Sequence, residues 1–369
     1  MKLKLIEFIE NNKNWEELLL SEPYCLTIKR DNGYIILNYD QNNSNLCNEI
    51  VRECRGIILY EKTLKPVCVP FFKFDNYAET KYKTEIDWES AKVQEKVDGS
   101  IIKVWYDRGE WRVSTNATID AFKCDLHGID EDCVAQTEEN KYKFFGDLFQ
   151  MAKEKVGLNF EKLNKNYTYI FELVSPYNKV VVYYKDFDLY HIGTRDNITY
   201  EELNVDIGIK KPKEYDLHSL EDCVEVTNKM SYNEEGFVVV DKYWNRVKIK
   251  SPEWTRFHYF KNNGNYNLLN IIQIIRENEL GELLSYFPEL VNIVNATKDN
   301  IKKIIDTIKK EFDVLKTESV EDRKAFALKV SKLPYSKFYF DWYKDRTLTP
   351  ESWVWGLDNY KLKDMIKDM

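Results

Sequence analysis

The chain has 369 residues, 43% of them apolar and 31% charged, with 25 tyrosines and nine tryptophans. That is enough for two domains with cores of their own, and too aromatic for a disordered chain. Sixty-two acidic residues against 54 basic ones leave a net charge of -8, which argues against a generic coat for DNA or RNA and confines any nucleic-acid contact to a local face. In chain order, the opening Met1–Phe8 is broken by charge, unlike a signal peptide, and no later run reaches bilayer length, so a cytoplasmic protein without membrane contact is expected. Asp31-Asn32-Gly33 reads as a hairpin turn leading into a strand over Tyr34–Tyr39. Further short β-branched or aromatic runs follow at Gly56–Tyr60, Ile101–Tyr106, Val180–Tyr184, Gly236–Val240 and Val247–Lys250. No regular helix–strand alternation accompanies them, which favours an α+β fold with antiparallel sheets over a doubly wound parallel one.

The pattern changes after about Trp254. Ile271, Ile274 and Ile275, then Ile301, Ile304, Ile305, Ile308, Phe312 and Leu315, recur at helical spacing, with Thr297 as a plausible N-cap. Arg323–Leu333 and Leu357–Ile366 also read as helices. These signals predict a domain over residues 1–254 and a helical one over 255–369, joined near the loop Lys261-Asn262-Asn263-Gly264-Asn265. Seven scattered cysteines, odd in number and without a Cys-x-x-Cys pair, fit neither a disulfide framework nor a structural zinc site. The four histidines show no arrangement and read as structural.

Chemistry concentrates in Glu95-Lys96-Val97-Asp98-Gly99-Ser100. A Lys-x-Asp-Gly string alone arises by chance; its company downstream gives it weight. Phe171-Glu172 ends one strand-like run, Glu234-Glu235-Gly236 opens another, and Lys248 and Lys250 share one face of a third. Together they supply a nucleophile, two carboxylates and two further cations. Nucleotidyl transfer needs such a set. A lysine at its ordinary pKa of about 10.4 is protonated at neutral pH and cannot attack phosphorus. Burial and neighbouring cations lower that value, and the same cations neutralise a leaving pyrophosphate. Glu235 suits a metal ion and Glu172 a ribose hydroxyl. Gly99 and Gly236 let backbone approach a nucleotide.

The chain resembles the covalent nucleotidyltransferase superfamily of DNA ligases, RNA ligases and capping enzymes, and within it the phage RNA ligase 1 family, the tRNA-repair ligases of T-even phages. Six blocks carry the resemblance, in order: Glu53-Cys54-Arg55-Gly56-Ile57-Ile58, Pro70-Phe71-Phe72-Lys73-Phe74-Asp75-Asn76, Lys96-Val97-Asp98-Gly99-Ser100, Ile170-Phe171-Glu172-Leu173-Val174-Ser175-Pro176, Glu235-Gly236-Phe237-Val238 and Lys248-Ile249-Lys250-Ser251. The resemblance implies antiparallel, ATP-grasp-like sheets of a ligase adenylation domain followed by an all-α C-terminal domain bearing on RNA or tRNA specificity. It implies ATP and Mg2+ as cofactors, with AMP carried on Lys96. Lys248 and Lys250 assist catalysis, Arg55, Lys73, Asp98, Gly99 and Glu172 bind the nucleotide, and Glu235 holds the metal. Arg195 resembles a weaker motif. The implied substrates are RNA ends with a 5′-phosphate and a 3′-hydroxyl, such as a broken tRNA supplied by an end-healing polynucleotide kinase/phosphatase, and the enzyme is expected to act as a monomer.

Two departures stand out. The family places basic residues after the nucleophile strand, where this sequence reads Ser114-Thr115-Asn116-Ala117-Thr118, and its C-terminal acidic pair has only approximate counterparts in Glu279 and Glu282. No Gly-x-x-x-x-Gly-Lys phosphate loop occurs, so no fused kinase is expected. A DNA ligase or capping enzyme is the alternative within the superfamily, disfavoured by the helical period after residue 255. A non-catalytic tRNA-binding relative is the alternative from another class, disfavoured by the joint presence of Lys96, Glu172, Glu235, Lys248 and Lys250.

Overall fold

The computed structural model describes residues 2–41, 43–77, 84–126, 142–260, 268–277, 280–316 and 323–367. The chain divides into two compact units, Met1–Lys261 and Asn262–Met369. The helix Pro252–Phe260 therefore groups with the first unit, while the loop at 261–265 lies outside the described residues.

The strands of the first unit are β1 Leu26–Asp31, β2 Tyr34–Tyr39, β3 Arg55–Tyr60, β4 Pro66–Cys68, β5 Asp75–Asn76, β6 Lys92–Glu95, β7 Ser100–Asp107, β8 Glu110–Thr115, β9 Tyr167–Val174, β10 Asp188–Asp196, β11 Glu202–Leu203, β12 Glu214–Tyr215, β13 Gly236–Val240 and β14 Arg246–Lys250. They form three sheets, in the orders β1-β2-β3-β4, β11-β10-β9-β7-β8 and β12-β6-β13-β14-β5. Pairing is antiparallel throughout, apart from a short parallel contact of β14 with β5. The α+β class expected from the sequence is the one observed.

Alternation along each strand explains how the sheets are covered. In β2, Ile35 and Leu37 pack beneath the N-terminal helices Lys4–Asn11 and Trp15–Leu20, while Tyr34 and Ile36 meet Trp105 of β7. A strand buried on both faces reads as a continuous apolar run, which is why Tyr34-Ile35-Ile36-Leu37 shows no polar alternation. In the second sheet Ile102, Val104, Phe171 and Leu173 pack on the helix Phe145–Val156, leaving Lys103 and Trp105 on the opposite face. The third sheet buries Val93, Phe237, Val239 and Ile249 with Cys223 of the helix Leu220–Thr227. Each such side chain contributes roughly 1.5–3 kcal/mol relative to exposure.

Every described element of the second unit is helical. The helices are Leu268–Glu277, Leu280–Tyr286, Val291–Lys316, Arg323–Val330, Ser336–Lys344, Pro350–Gly356 and Asn359–Ile366, with a 3-10 turn at Pro288–Leu290. Ile301, Ile304, Ile308, Phe312 and Leu315 form one buried stripe against Ile272, Phe338, Tyr339 and Trp342.

Two local expectations are corrected. Thr297 is no N-cap: it lies inside the helix Val291–Lys316, buried, its hydroxyl donating to the Ile293 carbonyl at 2.8 Å. The run Val180–Tyr184 forms no strand, because the amides of Val181 and Val182 donate instead to one carboxylate oxygen of Asp98, at 2.9 and 2.6 Å.

Candidate active site

Strand β6 belongs to the third sheet and β7 to the second, so Lys96–Gly99 must cross between sheets. At the near end the Lys96 amide donates to the Gly236 carbonyl at 2.8 Å, prolonging the β6–β13 ladder. At the far end Ser100 and Ile101 face Leu173 and Glu172 of β9. Gly99 approaches β9 so closely that a Cβ would stand 2.5 Å from the Leu173 carbonyl oxygen and 3.1 Å from Glu172 Cγ. Asn178 braces the same corner, donating to Ser100 Oγ at 3.0 Å and to the Leu173 carbonyl at 2.9 Å. The Lys96–Gly99 turn is thus fixed from both sides by backbone.

Around this turn the sheets gather charge. Lys96 Nζ lies 2.7 Å from Glu235 Oε1, and Lys250 Nζ stands 3.8 Å from the same oxygen. Glu235 is buried (4% of its side chain exposed), whereas Lys96 keeps 22%, so the amine opens outward and its partner backs it from within. Burial raises the Glu235 carboxyl above the usual carboxylate range, opposed by Lys96 and Lys250 and aided by Asp98. Glu172, half-buried in β9, is pushed up to about 8, first by burial, with Glu235 and Asp98 adding to the rise and Lys96 and Arg55 opposing it. The carboxyls of Glu172, Glu235 and Asp98 and the cations Lys96, Lys250 and Arg55 therefore share one electrostatic neighbourhood.

Gly236 makes the Glu235 position possible. Its φ of +130° is unfavourable for any L side chain, and a Cβ there would overlap the Ile249 carbonyl oxygen and stand 2.8 Å from Lys250 Cα. With hydrogen alone, β13 and β14 stay paired at Gly236–Lys250, and the Ser251 amide donates to the Glu235 carbonyl at 2.8 Å.

The remaining expected residues surround this centre. Arg55 and Lys248 flank one ring, 5.3 and 5.5 Å from the Phe74 centroid, and Lys250 lies 4.8 Å from that of Trp254. Lys73 is ion-paired with Asp75, whose other oxygen takes Arg52 at 2.7 Å. Burial alone would raise the Asp75 carboxyl; Arg52 and Lys73 hold it below its ordinary value. Asp98 is engaged by the Val181 and Val182 amides, pinning the segment after β9 to the Lys96–Gly99 turn. Glu53 caps the helix Lys4–Asn11, accepting from the Lys4 and Leu5 amides at 2.9 and 2.8 Å. Arg195 is buried, donating to the Pro70 carbonyl and facing Glu202 at 3.4 Å, while Arg246 takes the other Glu202 oxygen at 2.6 Å. That is a tie within the fold. Glu279 and the side chain of Glu282 lie outside the described residues.

Two features escape a reading of the sequence: the Arg52–Asp75–Lys73 trio, and the wholly buried Lys103. The spacing of Arg52 and Asp75 carries no local signal, and Lys103 looks like any polar member of an alternating strand. Among the described residues no cluster of three or more His, Cys, Asp or Glu side chains forms a metal cage. The donor set fits a magnesium ion held by one or two carboxylates and completed by phosphate and water. Nor, among the described residues, is any helix long and apolar enough to cross a membrane.

The fold and the ordered blocks together define an α+β nucleotidyltransferase domain. The chain belongs to the RNA ligase family, whose family model matches residues 53–260. It is 27% identical over 371 residues to a putative bifunctional polynucleotide kinase/RNA ligase of Autographa californica nuclear polyhedrosis virus, covering 95% of this chain and 51% of that protein. The chain thus spans about half the length of this viral relative. It is 26% identical over 364 residues to an RNA ligase of Rhodothermus phage RM378, covering 78% of this chain and 80% of that one. Among solved structures it is similar to a putative ATP-dependent DNA ligase from Aquifex aeolicus, at 12% identity and a TM-score of 0.46 over 81% of each chain.

Proposed function

We propose that the protein is an ATP-dependent RNA ligase that joins a 5′-phosphate to a 3′-hydroxyl through an adenylate carried on Lys96. The observation that carries this reading is the inter-sheet turn that presents a partly open Lys96 amine against a buried Glu235, with Lys250 on the same oxygen. Lys96 attacks the α-phosphorus of ATP, forming a phosphoamide and releasing pyrophosphate. Glu235 and Lys250 fix the amine before attack, and Arg55, Lys248 and Lys250 meet the phosphate charge that develops. Lys73 joins them on the phosphates once its tie to Asp75 is shared. Glu172, neutral at pH 7 with its carboxyl near 8, donates to or accepts from a ribose hydroxyl. Gly99 lets the turn close on β9 and Asp98 ties it to Val181 and Val182, so that the adenosine meets backbone rather than side chain. Glu235 would hold magnesium together with the phosphates of ATP, and the ion supplies charge neutralisation there. The lysyl adenylate then passes to the 5′-phosphate of RNA, and the 3′-hydroxyl displaces AMP.

The helical unit bears on the RNA, and the partner reaction is end healing that leaves a 5′-phosphate and a 3′-hydroxyl; the viral relative's name joins a polynucleotide kinase to an RNA ligase. The test compares sealing of a tRNA broken in its anticodon loop, open single strands and a nicked duplex, with ATP and magnesium. Sealing of RNA ends, with the broken tRNA preferred, is expected. Sealing of nicked DNA alone would instead assign a DNA ligase.

A further inference from the structure

Lys103 has no part in the chemistry above, yet it is buried to 0% exposure beside residues that do. Alternation along β7 directs Ile102 and Val104 into the core under the helix Phe145–Val156, and sends Lys103 and Trp105 the other way, towards the first sheet. There the Lys103 ammonium donates to the carbonyl oxygen of Gly56, the residue after Arg55 in β3. The Asn116 backbone closes the same space: a Cβ on Gly56 would lie 2.7 Å from Lys103 Nζ and 2.5 Å from the Asn116 carbonyl oxygen. Among the described residues no carboxylate pairs with the ammonium. Burial draws Lys103 down to about 8, opposed by Cys68 and helped by the Arg55 guanidinium. A buried cation without a carboxylate partner is a poor stabiliser, and an apolar side chain of similar volume serves the fold as well or better. Its presence here calls for a role other than stability.

The register supplies one. Across the β7–β8 ladder Lys103 stands directly opposite Ser114, the first residue of the segment Ser114–Thr118, which holds no basic residue of its own. Directly opposed side chains in an antiparallel pair lie on one face, about 5 Å apart at Cβ. An ammonium on β7 at this register therefore reaches the place that one rooted in β8 would reach. We propose that Lys103 is a positioning residue for nucleotidyl transfer: from β7 it fastens the Arg55–Gly56 start of β3 against the second sheet, supplying the cation that the facing segment Ser114–Thr118 does not. It touches neither ATP nor RNA and acts through Arg55, which itself bears on Glu172. The proposal rests on the adenylation reading given above.

The test uses the full chain and four variants: Lys103→Met, Arg55→Ala, their double, and Lys103→Ser combined with Ser114→Lys, which moves the ammonium to the neighbouring strand. Single-turnover transfer of AMP to Lys96, thermal melting, and amide hydrogen exchange at Arg55–Ile57 are read on each. Lys103→Met should melt no lower than the parent, adenylate at least tenfold more slowly, and exchange at least tenfold faster at Arg55–Ile57. On the Arg55→Ala background it should cost less than threefold more, since coupled residues do not add. The transposed pair should recover most of the lost rate, which a merely space-filling role would not allow. Adenylation of Lys103→Met within threefold of the parent, or losses that multiply with Arg55→Ala, overturns the proposal. Should Lys103→Met fail to fold, a folded but inactive transposed pair overturns it equally. If the parent takes up no AMP, the adenylation reading falls instead, and the exchange comparison alone decides whether Lys103 fastens the segment.

Discussion

Replacing Glu172 with glutamine separates stability from activity in a way that can be worked out from the structure. Its carboxyl rises from 4.5 to about 8, chiefly through burial. The folded state thus keeps a proton that the unfolded chain gives up from pH 4.5 onward. Stability therefore falls as pH climbs through that window and levels off above about 8. At ~1.4 kcal/mol per pH unit the rise sets an upper limit of about 5 kcal/mol. Solvent reaching the half-buried side chain reduces this to roughly 2–3 kcal/mol. Glu172→Gln removes the titration while keeping size and hydrogen-bonding atoms, so at pH 9 it should be more stable than the parent by that amount, with the difference vanishing near pH 5. Its adenylation should nevertheless stay within about threefold of the parent at pH 7, because the amide, like a protonated carboxyl, offers a ribose hydroxyl both a donor and an acceptor. Denaturant melts of both proteins at pH 5, 7 and 9, alongside a single-turnover adenylation assay, give the comparison. Parallel stability profiles for the two proteins would refute the placement of an ionisable, desolvated carboxyl at this position.

Gly236→Ala should destabilise the protein by about 3 kcal/mol or more, because its φ of +130° and the Ile249 carbonyl both exclude a methyl group. Gly281→Ala, in a helix with open space around it, should gain up to about 1 kcal/mol in the same denaturant melts. His191 is drawn down to about 4, mainly by burial and then by Lys211. Stability is thus complete above pH 6.5 and lost as pH falls towards 4, by about 2–3 kcal/mol, and His191→Phe should flatten that acid limb in melts between pH 7 and 4.5. A chain ending at Phe260 should keep Lys96 adenylation and lose the preference for a structured tRNA break over a simple oligonucleotide, with circular dichroism confirming that it folds. An unchanged preference would assign specificity to the first unit.

Much of this architecture is legible in the sequence because its chemistry sits on strands with strong local patterns. Gly56–Tyr60, Ile101–Tyr106 and Gly236–Val240 declare themselves by β-branched and aromatic content, and all three lie in observed strands. The helical period after Trp254 is equally plain, and the stripe of Ile301, Ile304, Ile308, Phe312 and Leu315 faces one core. Two segments depart from their local pattern. Val180–Tyr184 has every propensity of a strand, yet the Asp98 carboxylate captures two of its amides from far along the chain. Thr297 has the chemistry of a cap, yet the helix starts at Val291, anchored by the buried Val294, and runs past it. Long-range charge is least legible of all. Arg195 resembles a site residue by its neighbours in sequence, and only the fold reveals that Glu202 and Arg246 bury it. Lys103, by contrast, carries no motif, and its position depends on the meeting of two sheets.

The most direct test of the account is the intact mass of the protein after incubation with ATP and magnesium. The parent should gain one adenylate, stable to acid and labelled from the α-phosphate, located by peptide mapping on Lys96. Lys96→Ala should gain none, and neither should Lys96→Arg, whose guanidinium stays protonated and cannot attack. An adenylate that persists in Lys96→Ala, or maps to another lysine, would contradict the central claim.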